Sequence, residues 1–342
     1  MTNNPTKLLL LTTLLSGVMI SVSSNSWFTA WMGLEINLLS FIPLMSNTTN
    51  MLNTESSLKY FLVQVLASTT MLFMIVMKTL AENMFTFAES QQTMMAVGVP
   101  LLMKMGAAPL HWWFPGVMEG LSWDNCMLLL TIQSGAPLML MSYLTEINTL
   151  TLLAVLASTT TGAIGGMNQT SLRKILTYSS IGHTGWMLMA MTMGSMMWMM
   201  YFSIYSALVI TIILTIKPSK ISFINQVLMM SKTSTTTKMI MLSSMLSLGG
   251  LPPLTGFMPK WMILQTMMMN NQTTIAIYMT IMSTITLYYY LKVCYSSFMM
   301  AGTEPKWICP ATETKISNIT VPMTITAATL GMILCTIITN NS

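Results

Sequence analysis

Apolar runs of about 18 residues or more recur along the whole chain, separated by short polar breaks. A helix rises 1.5 Å per residue, so about 20 residues cross the hydrocarbon of a bilayer, and repetition at that length is the pattern of repeated crossings. The spacing predicts helices at 7–24, 27–45, 58–78, 92–110, 122–144, 149–167, 172–194, 196–216, a broken helix with a turn back over 238–270, then 273–296 and 319–338. The expected fold class is an all-α polytopic membrane protein of about eleven transmembrane helices, a single membrane domain over residues 1–342. The segment from Leu8 to Ser23 has signal-peptide character, but no soluble domain follows it, and it reads as a retained first helix.

Composition agrees with the pattern: 53% of the side chains are hydrophobic and 7% charged, against about 25% charged in soluble domains. The formal net charge is +5, but placement matters more than sign. With an odd number of crossings the termini lie on opposite sides. One set of loops carries Lys7, Lys59, Arg173, Lys174, Lys217, Lys220, Lys232, Lys238, Lys306 and Lys315; the other offers Lys78 at a helix end. By the positive-inside rule the N-terminus faces the compartment of synthesis. The connections 217–238 and 297–317 on the basic side mix Lys with Phe223 or Trp307 and are expected to lie along the interface.

Several function classes drop out. There is no basic run, so nucleic acid is not an expected partner. Cys126, Cys294, Cys309 and Cys335 form no CxxC pair, which suggests neither an iron–sulfur cluster nor a zinc site. The 42 methionines are spread through every helix rather than converging as a soft-metal site would require; a code with a second methionine codon, such as the animal mitochondrial one, explains them more simply. His111 and His183 are too few for two bis-histidine haems. No phosphate loop, nucleophile elbow or dinucleotide fingerprint occurs, so any redox chemistry is expected on another subunit.

The exceptions to the apolar pattern carry the functional expectation. Glu35 lies eight residues beyond Trp27, about 12 Å into its helix. A charge there costs about 2.5–3.5 kcal/mol and faces a bundle interior, a partner or water; a structural ion pair is the plainer reading. Lys104 opens Lys104-Met-Gly-Ala-Ala-Pro109-Leu-His-Trp-Trp-Phe-Pro115, in which two prolines and a glycine interrupt the helical ladder. Such a break is tolerated at membrane depth only where protein or a wet cavity satisfies the backbone. Whether a lysine there holds its proton is decided by its neighbours; snorkelling to the surface is its bland alternative. A second break, Gly249-Gly-Leu-Pro-Pro253-Leu-Thr-Gly-Phe-Met-Pro-Lys260, predicts two half-helices with Lys260 just beyond. Two such pairings suggest an internally repeated transporter plan. His183 lies nine residues beyond Lys174, and its ordinary pKa of about 6.5 suits either a proton relay or a plain hydrogen bond to a neighbouring helix. Lys292, after Tyr288-Tyr-Tyr290, reads as an interfacial anchor rather than a path residue.

The stretches Trp27–Pro43, Ser57–Ser68, Lys104–Gly120, Gly162–Trp186, Leu246–Trp261 and Tyr289–Met300 resemble the antiporter-like membrane subunits of mitochondrial respiratory complex I, in the form found in insects. The resemblance covers most of the chain and implies an antiporter-like fold with two discontinuous helices and no cofactor of its own. NADH, FMN, iron–sulfur clusters and ubiquinone would be used by other subunits. It further implies other membrane-arm subunits, antiporter-like neighbours among them, accessory subunits and phospholipids including cardiolipin as partners. The implied location is the mitochondrial inner membrane, with the N-terminus in the matrix and the C-terminus in the intermembrane space. In that family the glutamate at the position of Glu35 pairs with the lysine at Lys104, and further lysines lead toward the one at Lys260. One departure matters. The family commonly reads Trp-Gln-Lys-Ile-Ala-Pro where this chain has Ile132-Gln-Ser134-Gly-Ala-Pro137, so its central lysine is replaced by Ser134. Ordered water, His183 or a displaced lysine such as Lys174 would have to supply the link. A free-standing cation/proton antiporter, and a scaffold whose proton path has decayed, are the competing expectations.

Overall fold

The computed structural model describes residues 5–46, 50–84, 91–144, 148–219, 221–227 and 235–299. The expected crossing at 319–338, the connection from residue 300 onward, and Cys309 and Cys335 lie outside them, as do residues 220 and 228–234 of the other long connection. The described chain is helical: α1 Pro5–Val22, α2 Trp27–Met45, α3 Met51–Met84, α4 Gln91–Met105, α5 Trp113–Gly120 and α6 Trp123–Leu128. A π-helical turn, Leu129–Gln133, joins α6 to α7 Ser134–Ser142. Then follow α8 Thr149–Met167, α9 Leu172–Met193, α10 Ser195–Ser219, α11 Ile224–Val227, α12 Thr235–Gly249, α13 Phe257–Met269 and α14 Thr273–Met299. Among the described residues the β-structure consists of an isolated antiparallel bridge between Ser171 and Phe223, which ties the basic-side connection to the start of α9.

Seven of these helices, counting α6 through α7 as one, are long and apolar enough to cross a membrane. The others fall short for identifiable reasons. α4 and α12 are apolar but truncated by the two breaks. α9 is long but rich in Ser, Thr and charge at its start, and it is buried along most of its length rather than exposed to lipid. Many apolar side chains of α1, α2 and α3 face outward instead, among them Leu8, Leu15, Phe28, Leu39, Leu62 and Phe73, as a lipid-facing surface requires.

The described residues fall into two compact units that divide within α8, between Ser158 and Thr159. In the first, α1 packs on α2, α2 on α3, α3 on α4 and α5, and α7 against α1, α2 and α4. The α1–α2 crossing is close because Gly17 and Gly33 face each other's helix backbone, where a Cβ would come within about 3 Å. Ser26 starts α2 by accepting the backbone N–H of Thr29 on its side-chain oxygen. In the second unit, α10 lies against α9, α12 and α13, and α14 against α11, α12 and α13.

Candidate functional site

Both breaks are built the same way. α4 ends where Gly106 turns to φ +70°, its N–H bonding to Met103 O (3.2 Å) while Ala107 N–H reaches back to Leu102 O (3.0 Å). α12 ends where Gly250 turns to φ +86°, with Gly250 N–H on Ser247 O (3.0 Å) and Leu251 N–H on Leu246 O (3.5 Å). This paired pattern satisfies two of the orphan carbonyls at a helix end, and it needs a residue that accepts positive φ. Side chains donate to carbonyls of the same helix ends. In the first unit Trp113 Nε1 donates to Met103 O (3.1 Å) and Gln64 Nε2 to Lys104 O (3.4 Å). In the second, the Lys260 ammonium donates to Gly249 O (2.9 Å) and Leu248 O (3.4 Å). Each lysine thus belongs to the carbonyl end of a half-helix, where the helix dipole favours a cation.

Lys104, in the last turn of α4, is 8% exposed and lines a cavity of ≈ 30 Å³ with Asn37, Tyr60, Gln64, Gln133 and Ser134. That volume holds about two water molecules. Glu35 on α2 is close enough for its charge to act on the ammonium, yet the two are not within the 4.0 Å of a direct ion pair. Its Oε2 is buried with no hydrogen-bond partner. A polar chain crosses the cavity wall: Tyr60 donates its hydroxyl to Gln133 Oε1 (3.4 Å), and Gln133 Nε2 donates to Asn37 Oδ1 (2.9 Å). Tyr60 is itself held edge-on between the Phe41 and Trp113 rings.

Ser134 follows the π turn directly. Pro137 has no N–H to give Gln133 O, which loosens the α-helical register here and lets the wider turn form. The Ser134 hydroxyl donates to Leu130 O (2.9 Å) and Thr131 O (3.1 Å) of that turn. Its proton is therefore committed to its own helix, and it offers the cavity an acceptor oxygen.

In the second unit Lys260, 6% exposed, lines a cavity of ≈ 10 Å³ with His183, Trp186, Ser179, Tyr289 and Tyr290, about the size of one water. Its Nζ lies 5.9 Å from the Trp186 ring centre. His183 Nδ1 is 2.8 Å from the Tyr201 hydroxyl, and its ring is 5.0 Å from that of Tyr205. The hydroxyls of Tyr289 and Tyr290 are buried without a partner in hydrogen-bonding geometry.

The residues singled out from sequence thus fall into two groups: Glu35 and Lys104 in the first unit, His183 and Lys260 in the second. Lys292 is exposed. Tyr60, Asn37, Gln133 and Tyr201 were not singled out. Asn37 and Gln133 at least stand as amides within apolar runs, whereas Tyr201 sits in Trp198-Met-Met-Tyr-Phe-Ser with nothing to distinguish it. Among the described residues no cluster of His, Cys, Asp and Glu could hold a metal ion.

Comparison with known proteins agrees with this architecture. The family described as NADH:quinone oxidoreductase/Mrp antiporter, TM, matches residues 24–286. NADH-ubiquinone oxidoreductase chain 2 of Locusta migratoria is 42% identical over 98% of this chain and 97% of that protein. The protein of the same name from Anopheles gambiae is 46% identical over 86% of each. Among solved structures, a chain of respiratory complex I from Thermus thermophilus with bound aureothin superposes with a TM-score of 0.87 at 21% identity, over 98% of this chain and 79% of that one. A chain of the Mrp complex from Dietzia sp. gives 0.75 at 18% identity, over 84% and 60%. With its two broken helices and its match over most of its length to relatives of one name, the chain belongs to the NADH-ubiquinone oxidoreductase chain 2 family, within the NADH:quinone oxidoreductase/Mrp antiporter membrane proteins.

Proposed function

We propose that the chain is a core membrane-arm subunit of respiratory complex I that moves protons across the mitochondrial inner membrane, energised by the oxidation of NADH by ubiquinone on other subunits. The observation that carries the reading is the pair of buried lysines, each at the carbonyl end of a broken half-helix and neither in a direct ion pair among the described residues. A buried ammonium with no carboxylate in direct contact is costly and is retained where its proton is used. Electron transfer takes place elsewhere in the complex, on NADH, FMN, iron–sulfur clusters and ubiquinone bound by partner subunits. The N-terminus lies in the matrix and the C-terminus in the intermembrane space, with about eleven crossings between them; neighbouring antiporter-like subunits, accessory subunits and phospholipids, cardiolipin included, cover its lipid-facing helices.

Glu35 acts through its field. A conformational change relayed along the membrane arm alters the separation of its carboxylate from Lys104 and so decides whether the ammonium keeps its proton. Water in the adjoining cavity carries that proton, with the Ser134 oxygen accepting a hydrogen bond where the family has a lysine. In the other unit Lys260 receives and holds a proton against the α12 carbonyls, with His183 beside it in the same cavity as its exchange partner.

Lys104→Ala or Lys260→Ala, in a complex that still assembles, lowers the number of protons moved per NADH oxidised. The measurement is proton uptake against NADH consumption in vesicles containing the variant complex. An unchanged ratio in both variants sinks the role given to these lysines.

A further inference from the structure

Leu34, Asn37 and Leu38 of α2 line the Lys104 cavity, and their i, i+3, i+4 spacing makes them one face of the helix. Glu35 stands about 100° round the helix from Leu34, at the edge of that face. Rotation of α2 about its own axis therefore changes the distance across which the carboxylate acts on the Lys104 ammonium. The contacts that hold this rotation at the cavity are polar. Asn37 Oδ1 accepts from Gln133 Nε2 (2.9 Å), and Gln133 Oε1 accepts from the Tyr60 hydroxyl (3.4 Å). From Tyr60 the connection continues to α4 by two routes. Gln64, one turn further along α3, donates to Lys104 O (3.4 Å); the Tyr60 ring packs edge-on against Trp113, whose Nε1 donates to Met103 O (3.1 Å). Both routes end on carbonyls of the last turn of α4, the turn that carries Lys104. Trp31 Nε1, on Ser68 O (3.0 Å), and Asn125 Nδ2, on Leu44 O (3.0 Å), also tie α2 to its neighbours, but none of these four residues lines the cavity.

We infer that Gln133 is a positioning residue for the interaction of Glu35 with Lys104: its carboxamide, held between Asn37 and Tyr60, sets the rotation of α2 and so the separation of the two charges. The inference rests on the role proposed above for that separation. Gln133 itself exchanges no proton, since a carboxamide has fixed donors and a fixed acceptor; its contribution is geometric. Turned over together, the amides of Gln133 and Asn37 would donate in the opposite sense along the same line, so the joint holds in either orientation.

The test uses the assembled complex, with protons moved per NADH read in vesicles and the distance from the Glu35 carboxylate to Lys104 Nζ read in density maps of the same variants. Gln133→Leu and Asn37→Ala remove one hydrogen bond from its two ends. Each lowers the ratio, by no more than Glu35→Gln does, and each changes the distance; the double variant falls no further than the lower single one. Asn125→Ala removes a bond between the same two helices away from the cavity. It lowers thermal stability and leaves both the ratio and the distance native. Should Gln133→Leu fail to assemble, Asn37→Ala carries the test alone. A native ratio in Gln133→Leu and Asn37→Ala beside a lowered one in Glu35→Gln overturns the role of Gln133 and leaves that of Glu35 standing. A lowered ratio at an unchanged distance overturns it too, as does an equal loss in Asn125→Ala, which would mark the effect as one of general packing. A native ratio in Glu35→Gln removes the reading on which the inference rests, and the inference with it.

Discussion

The Lys260 ammonium rests in a place shaped by a single missing side chain. A Cβ on Gly250 would come 3.1 Å from Lys260 Cδ and 3.2 Å from its Nζ, and Gly250 also stands at φ +86°. Gly106 at the first break shares the positive φ, but its Cβ would meet the Phe114 ring instead, 3.1 Å away. The two positions therefore separate backbone strain from displacement of the lysine. Each substitution to alanine costs about 1 kcal/mol for the left-handed backbone and lowers the thermal stability of the assembled complex by a similar amount. Gly250→Ala in addition pushes the ammonium off Gly249 O and lowers protons per NADH well below the Gly106→Ala value. Equal ratios in the two variants would show that the carbonyl contact of Lys260 has no part in pumping. Both glycines were visible in the sequence as helix breakers, whereas the direction in which Lys260 reaches, back across the break onto the end of α12, depends on the folded path of the turn.

The elements of the first unit are joined across their interiors by amide and hydroxyl groups. Gln133, on the π turn, is bonded to Asn37 on α2 and Tyr60 on α3, so one side chain holds three elements in register. Gln133→Leu strands both partners; interhelical hydrogen bonds in membranes are worth about 0.6–2 kcal/mol, and a loss of that order is expected in the thermal unfolding of the assembled complex. A variant that melts with the native complex would mean water replaces the amide. This network shows where sequence reading runs out. The helices themselves were legible because apolar runs and Gly-Pro breaks are local signals: α2 begins at Trp27 and α8 spans Thr149–Met167, as the pattern predicts. The π turn was not, since it arises from the register between Leu129 and Pro137 and changes no hydropathy. Nor did the pattern indicate that α3 extends over Met51–Met84, well beyond its apolar stretch, because polar turns at a helix end look like loop.

At the scale of the whole molecule the question is whether the chain still moves protons with a serine at the family's central lysine position. Ser134 and Lys104 line one cavity, and the serine's own proton is spent on the π turn. A working water link predicts that Ser134→Ala lowers protons per NADH and Ser134→Lys retains it; an unchanged ratio in both variants would mark the chain as a scaffold. The sequence located this gap but not its surroundings, because Tyr60, Gln64 and Gln133 reach Ser134 and Lys104 only through helix packing. The carbonyl end of α12 has a further consequence, for ion selectivity. In transporters with discontinuous helices, half-helix carbonyl ends coordinate Na⁺. Here Gly249 O and Leu248 O already hold a cation that is covalently attached to the chain. A metal ion arriving there would have to displace a tethered competitor that cannot diffuse away, whereas on the proposed path a proton would travel on that competitor, so the arrangement that binds sodium elsewhere would here disfavour it.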